Sequence, residues 1–211
     1  FKIFGSQMIT LVKAQAFINI ISGLAFRSVL KTLNVNEGIR FASVLLYCGS
    51  YSFINFWPWY NHTVMVYGFI ALSFVLKVIM RNEEKNKIAL SLLGALFTFF
   101  SFFTKQDGGG LIFLVCSILL LYYSWLEKKW KYLFMYSGGT IFLVLIAVLI
   151  FSRYDFSYWF NHGQPPHNAR VSGADIANVF FGESQWLKFY FFVVIFVSVP
   201  ALTRFKALLQ K

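Results

Sequence analysis

Charge is scarce in this sequence, and acidic charge is scarcest: only 8 Asp and Glu residues stand among 211. Charged residues of both signs make up 13% of the chain, about half the roughly 25% of an ordinary soluble domain. A soluble protein of this size leaves too many positions facing water to be built from so few charges. Cysteine is limited to Cys48 and Cys116, each inside an apolar run. Two such residues make neither a disulfide framework nor a metal site and behave as small core hydrophobes. Also missing are a Ser/His/Asp arrangement, a nucleotide-binding loop and a Gly-x-Gly-x-x-Gly fingerprint, which removes the common signatures of nucleophilic hydrolases and nucleotide-binding enzymes. There is no initiator Met before Phe1-Lys2-Ile3, and no basic, apolar and small-residue succession of a signal peptide. The expectation is a piece of a longer protein.

What is present is apolar. Hydrophobic residues make up 58% of the chain, 27 of them Phe. Seven segments approach the roughly 20 apolar residues that a bilayer crossing needs. They are Ile9–Leu30, Arg40–Phe56, Val64–Met80, Ile88–Thr104, Leu111–Leu126, Leu133–Phe151 and Leu187–Leu202. The fold class expected is an all-α polytopic transmembrane bundle forming a single domain over residues 1–211. Within the first segment, the spacing of Lys13, Gln15 and Asn19 places them near one helical face, turned into the bundle rather than toward lipid.

The formal net charge of +11 does not point to nucleic acid, because the basic residues form short groups between apolar runs rather than one basic face. Their distribution sets the orientation instead. Arg27, Lys31, Arg40, Lys77, Arg81, Lys85, Lys87, Lys128, Lys129, Lys131, Arg204, Lys206 and Lys211 fall on one side of the bundle. Lys2, Lys13, Lys105, Arg153, Arg170 and Lys188 fall on the other. By the positive-inside rule the richer side is cytoplasmic, so the N-terminus lies outside and the C-terminus inside.

Three outward segments break the apolar background. Trp59, Tyr60, Asn61 and His62 precede the third span; their aromatics suit an interfacial belt, and Asn61 suits a helix cap. Lys105, Gln106, Asp107 and Gly108 open a turn that continues through Gly109 and Gly110. There a cation and successive backbone N–H groups can receive an anion, or Lys105 can simply pair with Asp107. The third is the long loop 152–186, with Arg153, His162, His167 and Arg170, and a short interfacial helix is expected from Asp175 to Phe181. The histidines lack the ligand spacing of a zinc site.

The order of these features resembles the polytopic GT-C membrane glycosyltransferases, in the bacterial branch related to protein mannosyltransferases and lipid A aminoarabinose transferases. The stretches that carry the resemblance are Leu11-Val12-Lys13, Tyr60-Asn61-His62-Thr63 and Phe102-Phe103-Thr104-Lys105-Gln106-Asp107-Gly108, within residues 1–123. Lys13 stands where arginine is common in that family, and Asn61-His62 where aspartate is frequent. The resemblance implies inverting transfer of a sugar from a polyprenyl-phosphate donor to a glycan, lipid or protein acceptor at the outer face of a bacterial inner membrane. It implies that Lys105, Gln106, Asp107, Gly108, Arg153 and Arg170 meet the lipid phosphate, and that Trp59, Tyr60, Asn61, His62, His162 and His167 shape the substrate pocket. It also implies that the general base lies upstream of Phe1. No cofactor is assigned, and a divalent metal stays open. A transporter or flippase, and a polysaccharide polymerase or ligase, are the alternative readings.

Overall fold

The computed structural model describes residues 8–49, 60–80 and 84–153, and of Tyr60 and Asn61 it describes the backbone alone. All of them belong to one compact unit, Phe1–Arg153. The fold is all-helical, with 92% of the described residues in helix and no strand among them. Six α-helices follow in order: α1 (Met8–Thr32), α2 (Glu37–Cys48), α3 (Tyr60–Met80), α4 (Lys87–Thr104), α5 (Gln106–Glu127) and α6 (Lys131–Phe151), with a 3₁₀ turn at Glu84–Asn86 before α4. Among the described residues five helices are long and apolar enough to cross a bilayer, namely all but α2.

Hydrogen-bonded pairs fix the helix directions. Ser28 Oγ meets Ser73 Oγ at 2.6 Å and Gln15 meets His62 nearer the other end, so α1 and α3 run parallel. Ser101 Oγ donates to the Val64 carbonyl at 3.1 Å, which makes α4 antiparallel to α3. Stacking of Phe113 on Tyr136 and contact of Tyr123 with Tyr132 set α5 antiparallel to α6. The starts of α1, α3 and α5 therefore gather at one end with the termini of α4 and α6. Of the described basic residues, Arg27, Lys31, Arg40, Lys77, Lys85, Lys87, Lys128, Lys129 and Lys131 lie toward the opposite end. Only Lys13, Lys105 and Arg153 share the first. We call the two ends basic and charge-poor.

The cross-section is inverted relative to a soluble protein. On α6, Tyr132, Tyr136 and Thr140 face inward, while Phe134 is 67% and Leu149 72% exposed. A water-facing helix could not carry so many exposed apolar side chains, whereas lipid solvates them at no cost. Where burial of apolar area no longer drives association, close packing and interhelical hydrogen bonds must hold the bundle. Both occur on α4, its central helix. Gly94 lies against Val75 and Tyr136, and Gly139 of α6 lies against Ala95 and Leu92. Thr98 Oγ1 and Tyr136 Oη share a hydrogen bond of 2.8 Å in the buried core. At the base of α4, Lys87 is buried; its Nζ donates to Tyr123 Oη at 2.9 Å and lies 5.1 and 5.8 Å from the ring centroids of Tyr123 and Tyr132. A buried ammonium is tolerated there through the phenol acceptor and the two ring faces. Nearby, Lys129 Nζ and Lys131 Nζ close on Glu84 at 2.6 and 3.7 Å, and the bond to Glu84 holds the Lys129 ammonium above the usual lysine range.

Several expectations change in this frame. The segment expected to span from Arg40 to Phe56 contains a helix of 12 residues, about 18 Å long. It has no buried residue and ends at Gly49, with Tyr47 against Phe26 and Phe69 partway along α1 and α3. Residues 50–56 lie outside the described residues, as do the last expected span, Leu187–Leu202, and the loop beyond Arg153. Lys13 does not share a face with Gln15 and Asn19: it is exposed while they are buried. Two residues are about 200° apart on a helix and four about 40°, so the expected common face could hold only the latter pair. The polar stretch 105–110 is not a loop. Lys105 alone is extended, at φ −158° and ψ 120°, and α5 begins at Gln106.

Candidate functional site

Two polar groups occupy the charge-poor end. The first is the joint between α4 and α5. Lys105 closes one helix and opens the next, with its N–H donating to Ser101 O at 3.0 Å and its own carbonyl accepting from Gly109 N at 2.9 Å. A chain that turns over on one residue must cross its own preceding helix closely. The glycines allow this. A Cβ on Gly109 would overlap the Phe102 backbone, and one on Gly108 would come within 2.5 Å of Val64 Cγ1. Gly110 faces open space. Gly108 and Gly109 therefore serve first to seat α5 in a notch formed by α3 and α4.

Once seated, the joint presents its polar atoms together. Lys105 Nζ lies 3.2 Å from Asp107 Oδ2, and Gly108 N donates to Asp107 Oδ1 at 2.6 Å. A carboxylate in the first turn complements the positive end of the helix dipole. Asp107 thus answers a free N–H of α5 and restrains the ammonium in one arrangement. Gln106 is half-buried beside it. The pairing read from the sequence as one alternative is present, and it leaves Lys105 partly solvated, with its side chain 27% exposed.

The second group lies between α1 and α3. Gln15, Asn19 and His62 are buried, at 1%, 2% and 5% exposure. Gln15 Nε2 donates to Asn19 Oδ1 at 2.8 Å and reaches His62 Nδ1 at 3.0 Å. With this amide orientation Nδ1 is the acceptor, so His62 carries its proton on Nε2. Among the described residues that buried Nε2 has no hydrogen-bond partner. Ser22 Oγ donates to the Asn19 carbonyl at 2.6 Å and extends the polar strip one turn along α1. His62 and Val64 are two residues apart, about 200° around α3. Val64 faces α4 and α5, so α3 stands between this group and the joint.

The structure thus brings Lys105, Gln106, Asp107 and Gly108 together, and sets His62 with Gln15 and Asn19 on another side of α3. Arg153 follows α6 at the same end and is exposed. Tyr60 and Asn61 begin α3. Trp59, His162, His167 and Arg170 lie outside the described residues. Among the described residues no three His, Cys, Asp or Glu side chains gather into a group able to hold a metal ion.

A third feature shares this end and was not legible from the sequence. Phe99, Phe100 and Phe103 of α4 face Leu143, Ala147 and Phe151 of α6 across a groove of about 310 Å³ lined almost wholly by carbon. It arises because α4 and α6 are parallel and converge at their N-terminal halves, where Gly94, Ala95 and Gly139 let them touch. Phe103 stands two residues before Lys105. Only the pairing of α4 with α6 shows that these phenylalanines line a furrow. Compared with models of known protein families, with curated proteins and with solved structures, the chain gives no significant match.

Proposed function

We propose that this chain is part of a multi-pass membrane glycosyltransferase that moves a sugar from a polyprenyl-phosphate donor to an acceptor at the outer face of a bacterial inner membrane. In this reading the chain crosses the bilayer about seven times, the basic end is cytoplasmic and the charge-poor end is outer. The observation that carries it is the pairing, at one end of the bundle, of a restrained ammonium with an apolar groove. A polyprenyl phosphate has the same two parts: an isoprenoid chain that lies against carbon and a phosphate that needs a cation. The resemblance of the sequence around Lys105 to the GT-C enzymes supports the same choice.

The chemistry asked of these residues is modest and specific. In an inverting transfer the acceptor oxygen attacks the anomeric carbon opposite the departing phosphate, and the C–O bond to that phosphate breaks. Negative charge grows on the leaving oxygen. Lys105 is the group to meet it, prepositioned by Asp107 so that little reorganisation is needed as charge develops. The general base is assigned to sequence upstream of Phe1, and none of the acidic residues in this chain is given that role. Lys105→Ala is expected to lower transfer by the roughly 10²–10³-fold typical of losing one oxyanion donor. The assay is single-turnover transfer by the full-length protein in liposomes, with membrane insertion checked by protease accessibility. Unchanged transfer would remove Lys105 from the mechanism and this reading with it.

The buried Gln15–Asn19–His62 group favours a second reading, a transporter or flippase, because polar side chains inside a helical bundle often line a pathway. Flux of labelled lipid across proteoliposomes that depends on His62 but not on Lys105 would select it.

A further inference from the structure

At the basic end, remote from the residues considered so far, α1 and α3 part around a cavity of about 370 Å³. This is the low end of the roughly 300–1,000 Å³ of small-molecule sites. Its lining is polar: Ser28, Lys31, Thr32, Asn34 and Lys77, with Met80 the one apolar side chain. Two lysines line the space, and no carboxylate is among the described lining residues.

Lysines near helix ends often serve only to cap carbonyls or to reach water. The end of α1 leaves Lys31 no carbonyl to cap. Leu33 N donates to Val29 O, Asn34 N to Lys31 O and Val35 N to Leu30 O, so the last carbonyls are closed by the backbone itself. Asn34 takes the left-handed φ of 56° that this closure needs, which holds its side chain at the cavity. Thr32 Oγ1 donates to Ser28 O at 2.9 Å, and Ser28 Oγ shares one hydrogen bond with Ser73 Oγ. The Asn34 amide is a donor for an acceptor placed between the lysines. Lys77 Nζ lies 5.3 Å from the Phe74 ring centroid, one turn back on α3, and the lysine lines the cavity.

We infer that this cavity binds the phosphate of an anionic phospholipid from the leaflet at the basic end. Two cations, an amide and hydroxyls at the height of the headgroups match a phosphodiester carrying net negative charge. The exposed apolar faces of the flanking helices leave its acyl chains in lipid. A zwitterionic headgroup brings a choline cation toward Lys31 and Lys77 and is disfavoured. The proposal does not depend on the catalytic reading above.

The test is lipid retention by the purified chain, measured by native mass spectrometry and by titration into nanodiscs of phosphatidylcholine with or without phosphatidylglycerol. Phosphatidylglycerol should be retained preferentially. Each lysine near a charged headgroup is worth about fivefold in affinity, so Lys31→Gln with Lys77→Gln should weaken retention about thirtyfold. Lys128→Gln, which removes a positive charge at the same end but outside the cavity, should leave retention unchanged. Lys31→Arg with Lys77→Arg should preserve retention, which separates loss of charge from loss of fold. Equal retention in the Gln pair and in Lys128→Gln, or no preference for phosphatidylglycerol, would overturn the proposal. Saturation by inorganic phosphate in neutral detergent, without any lipid preference, would reassign the cavity to a soluble anion and overturn it equally.

Discussion

Adding one methyl group at each of two neighbouring glycines should move stability in opposite directions. Gly109 and Gly110 both lie in the first turns of α5, so both gain when Ala replaces Gly, by up to roughly 0.8–1.0 kcal/mol in a helix interior. At Gly110 nothing lies within 4 Å of the new Cβ, and that gain stands alone. At Gly109 the new atom overlaps the backbone of Phe102. Overfilling a packed interior costs about 1–3 kcal/mol when side chains can rotate away. Backbone cannot, so the cost at Gly109 belongs at or above the top of that range. Gly109→Ala should therefore destabilise by at least about 2 kcal/mol, some 3 kcal/mol below Gly110→Ala. Gly108→Ala should fall between them, because its obstacle is a Val64 methyl that can turn. The measurement is unfolding of the purified chain in mixed micelles of increasing denaturing detergent, followed by tryptophan fluorescence. Equal stabilities for the Gly109 and Gly110 variants, or the reverse order, would refute the one-residue joint and the notch that receives it.

Removing Gln15 takes the hydrogen bond from the buried His62 Nδ1, so a double-mutant cycle of Gln15→Ala and His62→Ala should give a coupling of about 0.6–1.7 kcal/mol. A coupling of zero by the same unfolding assay would show that the 3.0 Å approach carries no energy. The Thr98–Tyr136 bond should return a coupling of the same order in a cycle of Thr98→Val and Tyr136→Phe, read in the same detergent series. Lys129 has its ammonium favoured in the folded state by Glu84, so its contribution is present below the ordinary lysine pKa of about 10.4 and is lost as pH rises through the higher folded value. Glu84→Gln should flatten that alkaline loss in a stability-against-pH profile, and an unchanged profile would exclude the pair as its source.

Length and hydropathy were enough to locate the five described helices that are long and apolar enough to cross a bilayer, because lipid demands such helices whatever their partners. The charge bias between the two ends was equally readable, since it depends only on the order of spans. What failed was anything set by which helix meets which. Lys87 reads as a loop charge from its neighbours Lys85 and Asn86, yet it is buried because Tyr123 and Tyr132, far along the chain, close over it. Gln15 and Asn19 announced a buried polar face by their spacing, but their partner His62 was assigned to an outward substrate pocket. The Lys105–Asp107 pair was legible because it is local. The groove beside it was not, because it depends on how far α4 and α6 diverge after Gly94 and Gly139.

The single-residue joint at Lys105 also has a bearing on how this sequence can vary. At the basic end the connections run through several residues, including the left-handed Asn34 and Lys128, and can absorb a residue more or less. At Lys105 an inserted residue would turn α5 by about 100° and carry Gly109 off the Phe102 backbone. Away from Lys105, Gly108 and Gly109, substitution is open to this corner, but insertion and deletion are not. Homologous chains, however far they diverge, should align without a gap from Ser101 to Gly109.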